Sequence, residues 1–119
     1  MESKAILRYV WISPQKARLV ADMIRGKRAM DALEMLNFTQ KKAARLFYKL
    51  VESAVANAEH KAEKTEDYLD LDNLYIKTVF VDKGPTHKRF RPRARGMYNR
   101  IHKKTSHLTV VLQTRDSEE

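Results

Sequence analysis

Residues 83–115 contain ten Lys or Arg side chains and not one Asp or Glu, and residues 88–96 at their centre read Lys-Arg-Phe-Arg-Pro-Arg-Ala-Arg-Gly. Such a stretch repels itself, and residues 83–104 within it are too polar to make a core, so the body must be built from residues 105–115 and the rest of the chain. That rest is nearly balanced. Residues 1–82 carry fourteen bases against twelve acids, and residues 116–119 add three acids and no base, so the formal charge of +9 belongs to one segment. A localised basic stripe is the usual electrostatic footprint of a protein that binds nucleic acid.

The 119 residues, 43% of them hydrophobic, are enough for one domain with a single modest core. The absence of Cys excludes disulfide scaffolds, thiolate zinc sites and cysteine nucleophiles. No long apolar segment follows the first four residues, and no window approaches the roughly eighteen apolar residues of a membrane span. A cytoplasmic protein without membrane contact is expected.

Residues 5–12 are rich in β-branched and aromatic side chains and predict a strand. Ser13 then offers a hydroxyl cap and Pro14 a first helical residue whose missing N–H is no loss. The helix should run to about Arg25, with Gly26 supplying the left-handed stop and Arg25, Lys27 and Arg28 set against the negative end of its dipole. Ala17, Val20, Ala21 and Ile24 share its core-facing stripe, with Lys16 and Arg18 off it. A second helix over residues 30–36 should bury Met30, Leu33 and Leu36. Thr39 is expected to cap a third helix ending near Lys61, whose stripe of Ala43, Phe47, Leu50, Val51, Ala54 and Ala58 is the clearest periodic signal in the chain. Acidic residues 63–72 read as a solvated connector. Residues 74–81 and 105–113 alternate as strands, with Leu74, Ile76, Thr78 and Phe80 on one face of the first and Leu108, Val110 and Leu112 on one face of the second. The expected fold is α+β: three helices packed on one face of a small three-stranded antiparallel sheet, with a long protruding β-hairpin arm. The expected organisation is a single domain, 1–119, with a globular body of residues 1–81 plus 105–115 and an extended basic arm of residues 82–104.

That arm is too polar for a core and too long for an ordinary turn. If the strands continue past the sheet, the turn falls near residues 91–93 and about eleven residues a side extend roughly 35 Å. Extended Arg89, Arg91, Arg93 and Arg95 would share one face at intervals of about 7 Å, close to the spacing of successive phosphates, which favours backbone contact over base reading. Arginine can fork two hydrogen bonds to a phosphate, whereas Lys83, Lys88, Lys103 and Lys104 act as point charges. Phe90, Tyr98 and His102 add rings able to stack on unpaired bases, which favours folded RNA. Gly84-Pro85 and Gly96 would ease bends in the arm, and Pro92 suits its turn. Arg100 on the arm and Lys16, Arg18 and Arg25 on the first helix complete the candidate RNA-binding set.

Other chemistries find no support. The four His residues lack zinc-ligand spacing, and the acidic connector lacks the glycine and closing glutamate of a calcium loop. Three glycines cannot write a phosphate-binding loop or a dinucleotide fingerprint. Ser106 and His107, adjacent on a strand, should point to opposite faces. No catalytic residue, metal or cofactor is expected.

Four collinear segments then carry a resemblance. Residues 8–20 (Arg-Tyr-Val-Trp-Ile-Ser-Pro-Gln-Lys-Ala-Arg-Leu-Val), 53–60 (Ser-Ala-Val-Ala-Asn-Ala-Glu-His), 81–96 and 105–111 (Thr-Ser-His-Leu-Thr-Val-Val) closely resemble the bacterial large-subunit ribosomal protein L-twenty-two family over nearly the whole chain. The resemblance implies a small α+β body near the peptide exit, bound to large-subunit ribosomal RNA, and a hairpin threaded through RNA to the exit tunnel wall. It implies a role in subunit assembly, neighbouring ribosomal proteins including L-four at the tunnel constriction, a nascent polypeptide passing the tip, and a monomer when free. On these motifs His87, Lys88, Arg89, Phe90, Arg91, Pro92 and Arg93 would form the tip, and Lys83, Arg95, Arg100, Lys103 and Lys104 would clamp RNA along the arm. Met97-Tyr98 departs from the Arg-Ala of many members, and residues 61–72 are longer than in the shorter ones. The competing readings are a free RNA- or DNA-binding regulator, which would want a recognition helix or a dimer seam, and a cationic membrane-active hairpin, which would want an apolar face.

Overall fold

The computed structural model describes residues 2–66, 68–92 and 98–114, the side chains of residues 89–92 and 98–102 excepted. Strand β1 (Glu2–Val10) leads to helices α1 (Pro14–Ile24), α2 (Ala29–Phe38) and α3 (Lys42–Thr65), a short 3-10 turn at Leu71–Asn73, then strands β2 (Leu74–Pro92) and β3 (Tyr98–Thr114). The strands form one antiparallel sheet in the order β1-β3-β2. The fold is α+β, as the hydrophobic patterning predicts.

Local chemistry explains the helix boundaries. Ser13 Oγ accepts from the Lys16 N–H at 3.4 Å and Pro14 opens α1. Gly26, at φ +79°, ends it in the conformation a side chain disfavours. Arg25 pairs with Asp22 in the last turn of α1 at 2.6 Å, and Arg28 with Asp31 in the first turn of α2 at 3.1 Å. Thr39 is not the cap of α3: its hydroxyl donates to the Met35 carbonyl at 2.8 Å, which satisfies an open acceptor at the end of α2, and Lys41 precedes α3 without a capping side chain. α3 also runs four residues beyond Lys61, so Glu63 is helical, and ends where Glu66 turns left-handed at φ +58°.

The core lies between α1, α3 and one sheet face. Ala17, Val20, Ala21 and Ile24 of α1 and the whole predicted α3 stripe are buried, with Phe47 fully enclosed. Burying a ring of that size contributes about 1.5–3 kcal/mol. In α2 it is Ala29, Ala32 and Leu36 that go fully inside, while the longer Met30 and Leu33 stay half-buried at the margin.

In the sheet, Ala5, Val110 and Val79 align on the core face, as do Leu7, Leu108 and Val81. The alternation read for β2 fails halfway. Ile76 pairs with Leu112 but Thr78 with Val111, so Lys77 is an inserted residue and the phase flips after it. Val79 and Val81 are therefore buried, and Phe80, read on one face with Leu74 and Ile76, is 40% exposed on the opposite face. Lys77, freed by the bulge, reaches across β3 to Glu2 at 2.6 Å. Each partner shifts the other: the Lys77 hydrogen bond and charge hold the Glu2 carboxyl below its ordinary range, and Glu2 raises Lys77.

Side chains from the helices seal both sheet edges. Along β1, Asn57 and Lys61 of α3 donate to the carbonyls of Lys4 and Glu2, at 3.0 and 2.6 Å, while buried Ser3 donates to Ala54 at 2.6 Å. Along β2, the loop after α1 exchanges two backbone hydrogen bonds with Ile76, and the guanidiniums of Arg25 and Arg18 donate to the carbonyls of Val79 (2.9 Å) and Val81 (3.2 Å). Exposed strand edges invite foreign pairing, and here they are occupied as far as Val81.

Candidate nucleic-acid interface

The sheet narrows from three strands to two at a single residue. Ser106 of β3 pairs with Val10, the last residue of β1, on one side and with Lys83 of β2 on the other. Beyond it the β2–β3 pairing continues alone, through Thr86 with Lys104, His87 with Lys103 and Lys88 with His102, to Arg91 with Asn99 and Pro92 with Tyr98. The turn expected near residues 91–93 does not include the first two of them. Arg91 and Pro92 still lie on the ladder, and the connecting residues 93–97, which include Arg93, Arg95 and Gly96, are outside the described residues. The molecule measures 68 × 26 × 20 Å.

Both outer strands bulge at the narrowing. In β1, residues 8 and 9 occupy the space of one between the Leu7–Leu108 and Val10–Ser106 pairs, and Tyr9 takes φ +57°. Its displaced N–H is satisfied by His107 Nδ1 at 3.1 Å, and the two rings meet edge to face at 4.8 Å. Because Nδ1 accepts there, any proton on a neutral imidazole resides on Nε2. In β2, Gly84 and Pro85 together face Thr105, whose hydroxyl donates to the Pro85 carbonyl at 2.6 Å. Gly84 is buried, and a Cβ there would lie 2.5 Å from Thr105 Oγ1 and 3.3 Å from both His107 Nε2 and the Thr105 carbonyl carbon. Only glycine fits without displacement. Ser106 Oγ, on the other face, donates to the Ile12 carbonyl at 2.7 Å, so Ser106 and His107 serve separate partners. Bulges bend a strand and increase its twist, so this triple junction sets the direction in which the two-stranded part departs.

Among the sequence-predicted residues, Lys83, His87, Lys88, Lys103 and Lys104 are exposed on this ribbon, and among the described residues no carboxylate pairs with its lysines. Arg89, Phe90, Arg91, Pro92, Tyr98, Arg100 and His102 occupy ladder positions on the same two strands. Lys16 is exposed at the start of α1. Arg18 and Arg25 hold β2 carbonyls, which gives each a packing role in this chain beside whatever it offers a ligand. The structure also gathers residues that no sequence spacing connects: Trp11, Ile12, Ser13, Lys16, Lys42, Lys103 and Lys104 line one open cavity beside the ribbon's base. Lys42 arrives from α3, about sixty positions away from Lys103, and carries no local signal of the encounter. His87 brings its ring to 5.1 Å from that of Trp11. Among the described residues no group of three or more His, Asp or Glu is placed to hold a metal, and no helix is long and apolar enough to cross a membrane.

Comparison with known proteins agrees with the residues that first suggested the resemblance. The family model described as ribosomal protein L22p/L17e matches residues 5–113. A curated relative, the large ribosomal subunit protein uL22 of Syntrophotalea carbinolica, is 55% identical over 112 residues that cover 94% of this chain and 97% of the relative. The match runs through β1, all three helices and the β2–β3 ladder. On this evidence the chain belongs to the ribosomal protein L22p/L17e family.

Proposed function

We propose that the chain is a structural constituent of the large ribosomal subunit, in the cytoplasm, and that it binds large-subunit ribosomal RNA chiefly through the basic ribbon. Residues 82–104 act as an arm, and residues 1–81 with 105–115 as the body that anchors it. The observation that carries this reading is the ladder itself: two strands remain paired out to Pro92 and Tyr98, within residues 83–115, which hold no acid. An isolated two-stranded ribbon is marginal in water, and like charges across it oppose pairing further. A phosphate-rich sheath removes that opposition and supplies the missing partners.

The mechanism is neutralisation and positioning, with no chemical step. Arginines and lysines release counterions from RNA strands that would otherwise repel one another, which favours assembly of the subunit. The bulged junction at Gly84, Thr105 and His107 aims the arm. Following the family, its far end lines the peptide exit tunnel beside ribosomal protein L-four and the passing nascent chain, and the free protein is a monomer.

Binding to large-subunit RNA at two ionic strengths tests the electrostatic core of this reading. Eight to ten phosphate contacts, each releasing roughly 0.7–0.9 counterions, make affinity fall steeply as salt rises. A flat response would count against it. Crosslinks from residues 83–92 and 98–104 to ribosomal RNA in intact subunits, and their absence from the exposed face of α2, would map the arm.

A further inference from the structure

Four lysines from three separate elements converge on the chain's single tryptophan. Lys16 from α1, Lys42 from α3 and Lys103 and Lys104 from β3 line a cavity of about 830 Å³ with Trp11, Ile12 and Ser13, and no acid is among the lining residues. Cavities of about 300–1,000 Å³ are the size that holds small organic groups. Trp11 is 51% exposed, yet the backbone of residues 10–12 is held at three points. Lys42 Nζ donates to the Trp11 carbonyl at 2.7 Å, the Ile12 N–H to the Val10 carbonyl at 2.8 Å, and Ser106 Oγ to the Ile12 carbonyl at 2.7 Å. A large aromatic surface is thus presented to solvent by a fixed backbone, where stacking costs little additional ordering.

We infer that this cavity is a nucleotide subsite: an unpaired base stacks on Trp11 while Lys16, Lys103 and Lys104 hold the phosphates on either side of it. Phosphate contact alone would need the lysines but no half-exposed indole, and an apolar protein partner would need the indole but not four surrounding cations. The combination of a stacking platform with a basic rim is the design of single-strand binding. Lys42 fixes the platform through one of its three donors and keeps two for the ligand. The inference rests on the proposal that the chain binds RNA, and goes beyond it by placing one unpaired base on the body, away from the outer part of the ribbon.

Because Trp11 is the only tryptophan, its fluorescence reports on this cavity alone. Titration of the full chain with single-stranded oligoadenylate is expected to quench it, oligouridylate to quench it less, and inorganic polyphosphate of matched charge to leave it nearly unchanged. Quenching equal to that by polyphosphate, or none at saturation, would overturn the subsite. Trp11→Ala should bind labelled oligoadenylate about five- to a hundredfold more weakly, with Trp11→Phe recovering part of the loss and circular dichroism unchanged in both. The paired variant Arg89→Gln/Arg91→Gln separates the two readings in binding to large-subunit RNA. If it weakens binding and Trp11→Ala does not, the subsite falls and the RNA-binding reading stands; if neither weakens binding, both fall.

Discussion

The two ends of the β2–β3 ladder share one hydrogen-bonding pattern and differ in everything that supports it. From Leu74 to Val81, β2 has a buried face under α1, a third strand beyond β3, and an outer edge taken up by Arg18, Arg25 and the loop after α1. Beyond Lys83, β1 is gone and the two strands have each other. Backbone pairing is alike at both ends, so pairing alone does not make a strand stable in water; buried apolar area and sealed edges do. The inner half is held by this chain's own core. The outer half is held, on our proposal, by a ligand of opposite charge.

The contrast is broken most directly by amide exchange. In the free protein, amides of residues 74–81 should approach the protection of global unfolding, whereas those of residues 86–92 should exchange orders of magnitude faster and gain protection with large-subunit RNA. Uniform protection along the ladder without RNA would refute the distinction. Phe47→Ala, by emptying the centre of the core, should cost about 3–5 kcal/mol in urea unfolding and lower the protection of the inner half alone.

Gly84→Ala acts at the boundary. Its new Cβ must displace the Thr105 hydroxyl from the Pro85 carbonyl, which should cost about 1–3 kcal/mol. Combining it with Thr105→Ala should recover part of that loss, a coupling a double-mutant cycle reads out. Replacing Arg89 and Arg91 with Gln should leave the unfolding midpoint within about 0.5 kcal/mol of the parent while reducing the salt slope of RNA binding by about 1.4–1.8. Unfolding at lower stability, with the slope unchanged, would mean that these residues serve the fold.

The smallest effect belongs to the Glu2–Lys77 pair on the open face. The lowered Glu2 carboxyl contributes stability that is present above the ordinary carboxylate range and is lost as pH falls through its depressed folded value; raised Lys77 contributes below its ordinary range and loses that as pH rises past it. Glu2→Gln should therefore lower the melting temperature slightly at neutral pH, surface pairs being well screened, and not at all in strong acid, where the Glu2 carboxyl is protonated. A difference persisting at pH 2 would assign Glu2 another role.

Where the residues of one segment decide the outcome, the sequence was legible. The Ser13-Pro14 start and the Gly26 stop of α1, and the apolar stripe of α3, are local patterns and appear in the structure as read. Thr39 was misread because a hydroxyl near two helices can serve either, and geometry gave it to Met35 at the end of the first. The phase flip at Lys77 and the pairing of Pro92 were hidden because a bulge and a turn position belong to the register between two strands, and either strand alone is compatible with several registers.

Charge is a property of the chain wherever it folds, so the acid-free run from residue 83 to 115 by itself determined where this protein's positive charge is concentrated. Tertiary structure decided where that run leaves the sheet and what stands beside it. Ser106 between two bulges, Arg18 and Arg25 on the edge of β2, and Trp11 among four lysines all depend on segments separated by tens of residues meeting in one packing. The physical reason is that helix stripes and charge runs follow from side chains alone, whereas bulges, sealed edges and cavities follow from how one element's backbone fits another's.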